Sequence, residues 1–295
     1  PIECLFTIDE ETGLTGAFGL KPGLLQSTIL LNLDSEDDGE LFIGCAGGID
    51  TVANLNYKKV DPVSGHNTFK ITVSGLKGGH SGDDIEKGLG NANKILNRFL
   101  WVAAHEFGLR VSVFDGGNLR NAIAREAFAV VSVPEENEMA MKSALESFNK
   151  DVKAEYRVTE PGLEVSIDAT DEAGFLMDPE TQEKLLNVIY ACPHGVIAMS
   201  QDIPGFVETS TNLASVKTLE DTIRITTSQR SSVASAKEDI RNMVAATFLL
   251  AGCDVEHSDG YPGWSPNPSS VIVDITARLY KELFDEEPIV RAVHA

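Results

Sequence analysis

A chain of 295 residues, 42% apolar and 23% charged, has the length for about two domains and the composition of an ordinary globular protein, neither disordered nor fibrous. Its formal net charge of −21 and the lack of a basic face exclude recognition of a phosphate backbone, so nucleic acid is not an expected partner. No stretch approaches the roughly 18 consecutive apolar residues of a membrane span, and Cys4, Cys45, Cys192 and Cys253 are scattered without a Cys-x-x-Cys pair, as reduced thiols of a cytoplasmic protein would be.

In chain order, Ile2–Phe6 and Ile29–Leu33 are apolar runs that read as buried parallel strands, each followed by acids: Asp9-Glu10-Glu11 after the first and Asp34 after the second. Neighbouring side chains of a strand point to opposite faces. Glu10 and Glu11 can therefore face one ion only where the strand breaks, and Gly13 allows that break. The ordinary reading of such a doublet is a solvated acidic turn. The functional one is a divalent-cation site, with one carboxylate as ligand and its neighbour as general base, because open α/β sheets carry their sites at strand carboxyl ends.

Leu41–Gly44 predicts a further strand and Gly47-Gly48 a hinge, after which the composition changes. Ile85, Leu89, Ala92, Leu96, Phe99 and Ala103 then recur at three- and four-residue steps, a helix that Ser81 or Asp83 could cap. Beyond it a pattern runs twice. Strands at Arg110–Val113 and Phe128–Val133, a helix over 136–150 and a strand at 163–167 are followed by Ser210–Leu213, a strand at Thr222–Thr227, a helix over 233–251 and a strand at 253–257. Both copies carry an Asn-Leu pair before the strand, helix and strand, which suggests a duplicated α+β unit with antiparallel sheet and helices on one face. The turn Tyr261–Trp264, a helix through Val271, Ile275, Leu279 and Leu283, and a strand from Pro288 close the chain.

The predicted architecture is an α/β catalytic domain, partial and with a mostly parallel sheet, made of 1–47 and 261–295. It is interrupted by a large α+β lid domain, 48–260, with an internal duplication. The start at Pro1 without Met and the strand that stops at Ala295 lead us to expect an excised piece of a longer protein.

Within the inserted region, Lys77-Gly78-Gly79-His80-Ser81-Gly82 holds a histidine on a glycine loop, either a polar surface residue or a hydrogen-bond donor to an oxyanion in a facing cleft. Asn121 and Arg230 offer an amide and a guanidinium, which suit a substrate carboxylate; each alone is more often a structural residue. His66, His105, His194 and His257 lack acidic partners at ligand spacing, and His294 ends a strand that could line the cleft. Phosphate loops and a Gly-x-Ser-x-Gly elbow are absent, so covalent serine or cysteine chemistry has no support.

The words Thr7–Leu14, Leu31–Glu36, Gly44–Gly48, Gly78–Gly82, Gly117–Ile123, Tyr261–Trp264 and Val293–Ala295 occur in the order in which the aminoacyl-histidine (Xaa-His, cytosolic non-specific) dipeptidases carry them. The chain resembles that family of di-zinc metallopeptidases, related to carboxypeptidase G2, over nearly its whole length. The resemblance implies hydrolysis of dipeptides of the Xaa-His type such as carnosine, with Glu10 as general base, Glu11 and Asp34 as terminal ligands of two zinc ions, and His80 as the lid histidine that stabilises the tetrahedral intermediate. It also implies that Asn121 and Arg230 hold the substrate's carboxylate. The expected partners are a small dipeptide and, in a homodimer, a second copy. The family's remaining metal ligands, from segments before and after these words, are missing here, so the piece by itself is expected to be inactive. Rival readings are a tripeptidase or N-acyl amino acid deacylase of the same superfamily, or a non-catalytic association module.

Overall fold

A computed structural model describes residues 2–9, 15–34, 38–171 and 173–294. They form two compact units, residues 1–41 with 268–290 and residues 42–267 with 291–295.

The second unit is built on a nine-stranded sheet. Its strands are β2 (Gly47–Asn56), β4 (His66–Ser74), β6 (Arg110–Gly116), β8 (Ala127–Pro134), β9 (Glu164–Ala169), β11 (Gly195–Met199), β12 (Val207–Thr218), β13 (Thr222–Ser231) and β14 (Asp254–His257). They run in the order β14-β2-β13-β12-β6-β8-β4-β9, with β11 also paired to β12. Every neighbouring pair is antiparallel, so the antiparallel sheet expected for the inserted region is present. Two-residue ladders supplement it: β3 (Lys59–Val60) with β10 (Leu176–Met177), and β5 (Gly79–His80) with β7 (Ala122–Ile123).

Alternation assigns the faces. On β4, Phe69, Ile71 and Val73 are buried, while Lys70 and Thr72 between them are only half-buried. The buried set joins one cluster with residues of four helices: α1 (Ala92–Phe107), α2 (Glu138–Glu155), α3 (Pro179–Ala191) and α4 (Ala234–Leu250). Leu96 and Leu100 of α1, Met141 of α2, Leu186 of α3 and Phe248 of α4 are almost fully removed from water, each worth about 1.5–3 kcal/mol of apolar transfer.

Two local expectations are corrected. The helix before the first repeat begins at Ala92, not near Ile85, because residues 81–88 turn and Gly88 sits at φ +66°. The Asn91 side chain, rather than Ser81 or Asp83, is the cap, accepting from the N–H groups of Asn93 and Lys94 at 3.0 and 3.3 Å. Nor is Gly47-Gly48 a hinge. Both lie in the β2 ladder, opposite Ser231 and Arg230. Glycine is needed there because another segment packs on it: a Cβ on Gly47 would fall 2.3 Å from the Gly263 nitrogen, and one on Gly48 would fall 2.6 Å from the Tyr261 ring.

In the first unit the helix predicted through Val271 and Leu283 is present as α5 (Val271–Phe284), closed by Asp285 at φ 59°. Ile2–Phe6 and Ile29–Leu33, expected as buried parallel strands, are neither: they have no strand conformation, and Ile2, Phe6 and Leu33 are at least 90% exposed. A strand needs a partner ladder for its N–H and C=O groups, and no described segment supplies one to these runs. Ser27 instead ties the two runs' neighbourhoods through Glu3, whose carboxylate accepts from the Ser27 N–H at 2.7 Å and its hydroxyl at 2.5 Å. The predicted strands near residues 41 and 288 do form, as β1 (Glu40–Cys45) paired with β15 (Ile289–Val293).

Candidate active site

The β5–β7 ladder brings two of the predicted site loops together. His80 stands opposite Ala122, and the Ser81 N–H donates to the Asn121 carbonyl at 2.8 Å. His80 and the exposed Asn121 therefore belong to one corner of the second unit. Arg120, beside Asn121, pairs with the Asp50 carboxylate of β2 at 3.2 Å, which ties the same loop to the sheet.

The imidazole of His80 is held in a defined tautomer by its own loop. Its Nδ1 accepts from the backbone N–H groups of Gly82 and Asp83, at 3.3 and 3.2 Å, and an accepting Nδ1 leaves the proton on Nε2. Burial, and next the Arg230 charge, hold the imidazole pKa below its usual value, against the opposing pull of Asp83 and Asp84. The ring thus stays neutral near pH 7 and offers one N–H, the form that can donate to an oxyanion without giving up its loop bonds.

Arg230 sits on β13, 7% exposed, opposite Gly48 on β2 and Ser210 on β12. Ile223 and Ile225 of the same strand enter the helix-covered core, so the two-residue period sends Arg230 to the other face. Its Nη1 donates to the Tyr261 hydroxyl at 2.9 Å, while its Nε is buried without a partner among the described residues. His294, just past β15, completes the cluster. It is 5% exposed and its Nε2 lies 2.7 Å from the Ser210 hydroxyl. Burial first, then the Arg230 charge, push its pKa down to about 4, with the Val207 backbone opposing and His80 adding a little.

His294 therefore predicts an acid-dependent stability. The folded group binds its proton more weakly than an unfolded histidine near 6.5, so stability is full above about pH 6.5 and declines as pH falls toward 4, by roughly 2–3 kcal/mol from this residue. Urea midpoints measured across that range should drop in the native protein, and the slope should flatten in His294→Gln.

The acids fare differently. Glu10 and Glu11 lie outside the described residues. Asp34 is in the first unit, exposed, with its backbone N–H bonded to the Asn32 side chain at 3.0 Å. Among the described residues no three His, Cys, Asp or Glu side chains gather as a metal site. The donors at hand do not by themselves make a two-ion centre, which needs a bridging ligand and several terminal ones. Pattern reading missed Ser210, Tyr261 and the place of His294. Only the cross-strand register could have found them, since it alone lines Ser210 and Gly48 up on either side of Arg230.

Comparison with known proteins gives the class first. Residues 63–160 match the family model described as Peptidase dimerisation domain. Over its whole length the chain is 40% identical to the cytosol non-specific dipeptidase of Escherichia coli (strain K12), of which it spans 61%. The crystal structure of aminoacylhistidine dipeptidase from Vibrio alginolyticus superposes with a TM-score of 0.93 at 39% identity, covering 98% of this chain and 59% of that one. The chain is thus a homologue of the aminoacylhistidine and cytosol non-specific dipeptidases, as its ordered motifs indicated, and it shares their fold over about three fifths of their length. No helix among the described residues is long and apolar enough to cross a membrane.

Proposed function

We propose that this chain is the lid and central catalytic segment of a cytoplasmic, metal-dependent dipeptidase acting on free-amine dipeptides, those ending in histidine included. The observation that carries the reading is the cluster on the second unit: a neutral His80 with its Nε2 proton free of the loop, within electrostatic reach of a buried guanidinium that has an unused donor edge. Such a pair matches a substrate with a scissile carbonyl next to a terminal carboxylate. Arg230, with Asn121 at the neighbouring loop, takes the carboxylate by charge-assisted hydrogen bonds. His80 donates from Nε2 to the oxygen that becomes negative as the carbonyl is attacked. Glu10 removes a proton from the attacking water and delivers it to the leaving amine.

Two zinc ions, for which Glu11 and Asp34 supply part of the ligand set, would contribute Lewis acidity when bound. Residues 48–260 act as the lid. Their duplication is supported by the strand order, in which β9-β4-β8-β6 on one side is answered by β14-β2-β13-β12 on the other, each half carrying its own helix between the last two strands in sequence. The dimerisation-domain match supports pairing with a second copy. Because Glu11 and Asp34 are too few to bind two ions, the 295 residues alone should turn over no dipeptide.

A substrate panel on the full-length protein tests this. Carnosine and other free-amine dipeptides should be cleaved, activity should vanish on dialysis against a chelator and return with zinc, and tripeptides and acylated amino acids should be poor substrates. Preference for a tripeptide or an acylated amino acid would replace the dipeptidase reading. Absence of both turnover and metal binding would leave an association module.

A further inference from the structure

The register across three strands sets Ser210, Arg230 and Gly48 side by side on one face of the sheet, since directly paired residues of antiparallel strands project together. Each outer position brings in a residue from a distant part of the chain. Gly48 has no side chain, and the Tyr261 ring occupies the place where one would be: a Cβ there would meet its Cε1, Cζ and hydroxyl at 2.6 Å. The Tyr261 backbone is fixed as well, its N–H donating to the Gly48 carbonyl at 2.9 Å in an isolated bridge. From this seat the phenol oxygen accepts from Arg230 Nη1. On the other flank the Ser210 hydroxyl holds the His294 imidazole, itself against the edge of the Phe206 ring.

We infer that Tyr261 on one side and the Ser210–His294 pair on the other are positioning residues that clamp the Arg230 guanidinium and turn its free Nε edge toward a carboxylate. The assignment rests on the reading that Arg230 binds the substrate's terminal carboxylate. A buried arginine left with a free N–H is costly unless a ligand completes it, and a long side chain with one end unbound would otherwise sample several rotamers. Holding Nη1 at Tyr261 leaves the opposite donors in one orientation, which favours the planar two-point contact that a carboxylate offers and an amide does not. Neutral His294, bonded to the Ser210 hydroxyl and within electrostatic reach of Arg230, adds no second full charge to this face.

The test compares kcat/KM for a dipeptide and for the same dipeptide carrying a C-terminal amide, in the full-length enzyme and its Tyr261→Phe, Ser210→Ala and Arg230→Met variants, with thermal melts as a check on folding. Arg230→Met should abolish the preference for the free carboxylate. Tyr261→Phe should cut that preference about tenfold, mostly through KM for the dipeptide, as expected for one hydrogen bond to a charged group. Ser210→Ala should reduce it several-fold. If Arg230→Met collapses the preference while Tyr261→Phe and Ser210→Ala keep it, the clamp is wrong and the carboxylate anchor stands. Equal losses on dipeptide and amide in Tyr261→Phe would mark a purely structural role and overturn the clamp. An unchanged preference in Arg230→Met would remove the anchor itself. Should Tyr261→Phe fail to fold, the single hydroxyl lost in Ser210→Ala decides by the same ratio.

Discussion

Glu10→Gln in the full-length enzyme should lower kcat by about 10²–10⁴-fold, the range that a positioned general base contributes. Glutamine keeps the size and one carbonyl oxygen of glutamate but cannot accept a proton at neutral pH, so it cannot relay one from water to the leaving amine. Because Glu10 is assigned to the proton and Glu11 to the metal, bound zinc should be undiminished in the variant while turnover disappears. Steady-state kinetics alongside metal analysis of the purified protein separates the two roles. Near-normal turnover would remove Glu10 from the mechanism, and loss of zinc together with turnover would exchange its role with that of its neighbour.

His80→Ala should reduce kcat by about 10²–10³-fold with a much smaller change in KM, as expected when one donor to a developing oxyanion is deleted. The size follows from the tautomer. Gly82 and Asp83 direct their N–H groups at Nδ1, so the single proton of the neutral ring stands on Nε2, and no other titration is needed to present it. The lowered pKa means that any inflection from His80 in the kcat profile should lie on the acid side of an ordinary histidine's; acid must protonate Nδ1 and displace its two backbone donors. A variant with unchanged kcat would make the histidine a loop-ordering residue only, whose loss would be read in the melting temperature instead.

Much of the second unit was legible beforehand. The strands at 110–113, 128–133 and 222–227 and the helices at 136–150 and 233–251 were readable because each side of each element answers to one environment: water outside, one hydrophobic cluster within. The start of α1 was not, because apolar spacing continues through residues 85–89 while the backbone there turns ahead of the Asn91 cap. The runs Ile2–Phe6 and Ile29–Leu33 show the same limit from the other side. Apolar composition permits a buried strand, but only a neighbouring ladder makes one, and their residues lie exposed.

For the site, chemistry-bearing residue types in order were enough to single out His80, Asn121 and Arg230, because a glycine-flanked histidine, an amide and a guanidinium each announce a function through their own side chains. What they do together was decided in three dimensions. A short ladder joins His80 to the Asn121 loop, an isolated bridge between positions 213 residues apart seats the Tyr261 ring over Gly48, and 64 residues separate Arg230 from the histidine that shares its face. Sequence determined which groups could donate, accept or carry charge and which segments would alternate or turn, since those properties belong to single residues and their near neighbours. Tertiary structure alone decided the register that brings Tyr261, Ser210 and His294 around one arginine, because sheet pairing joins positions whose distance along the chain carries no information about their distance in space.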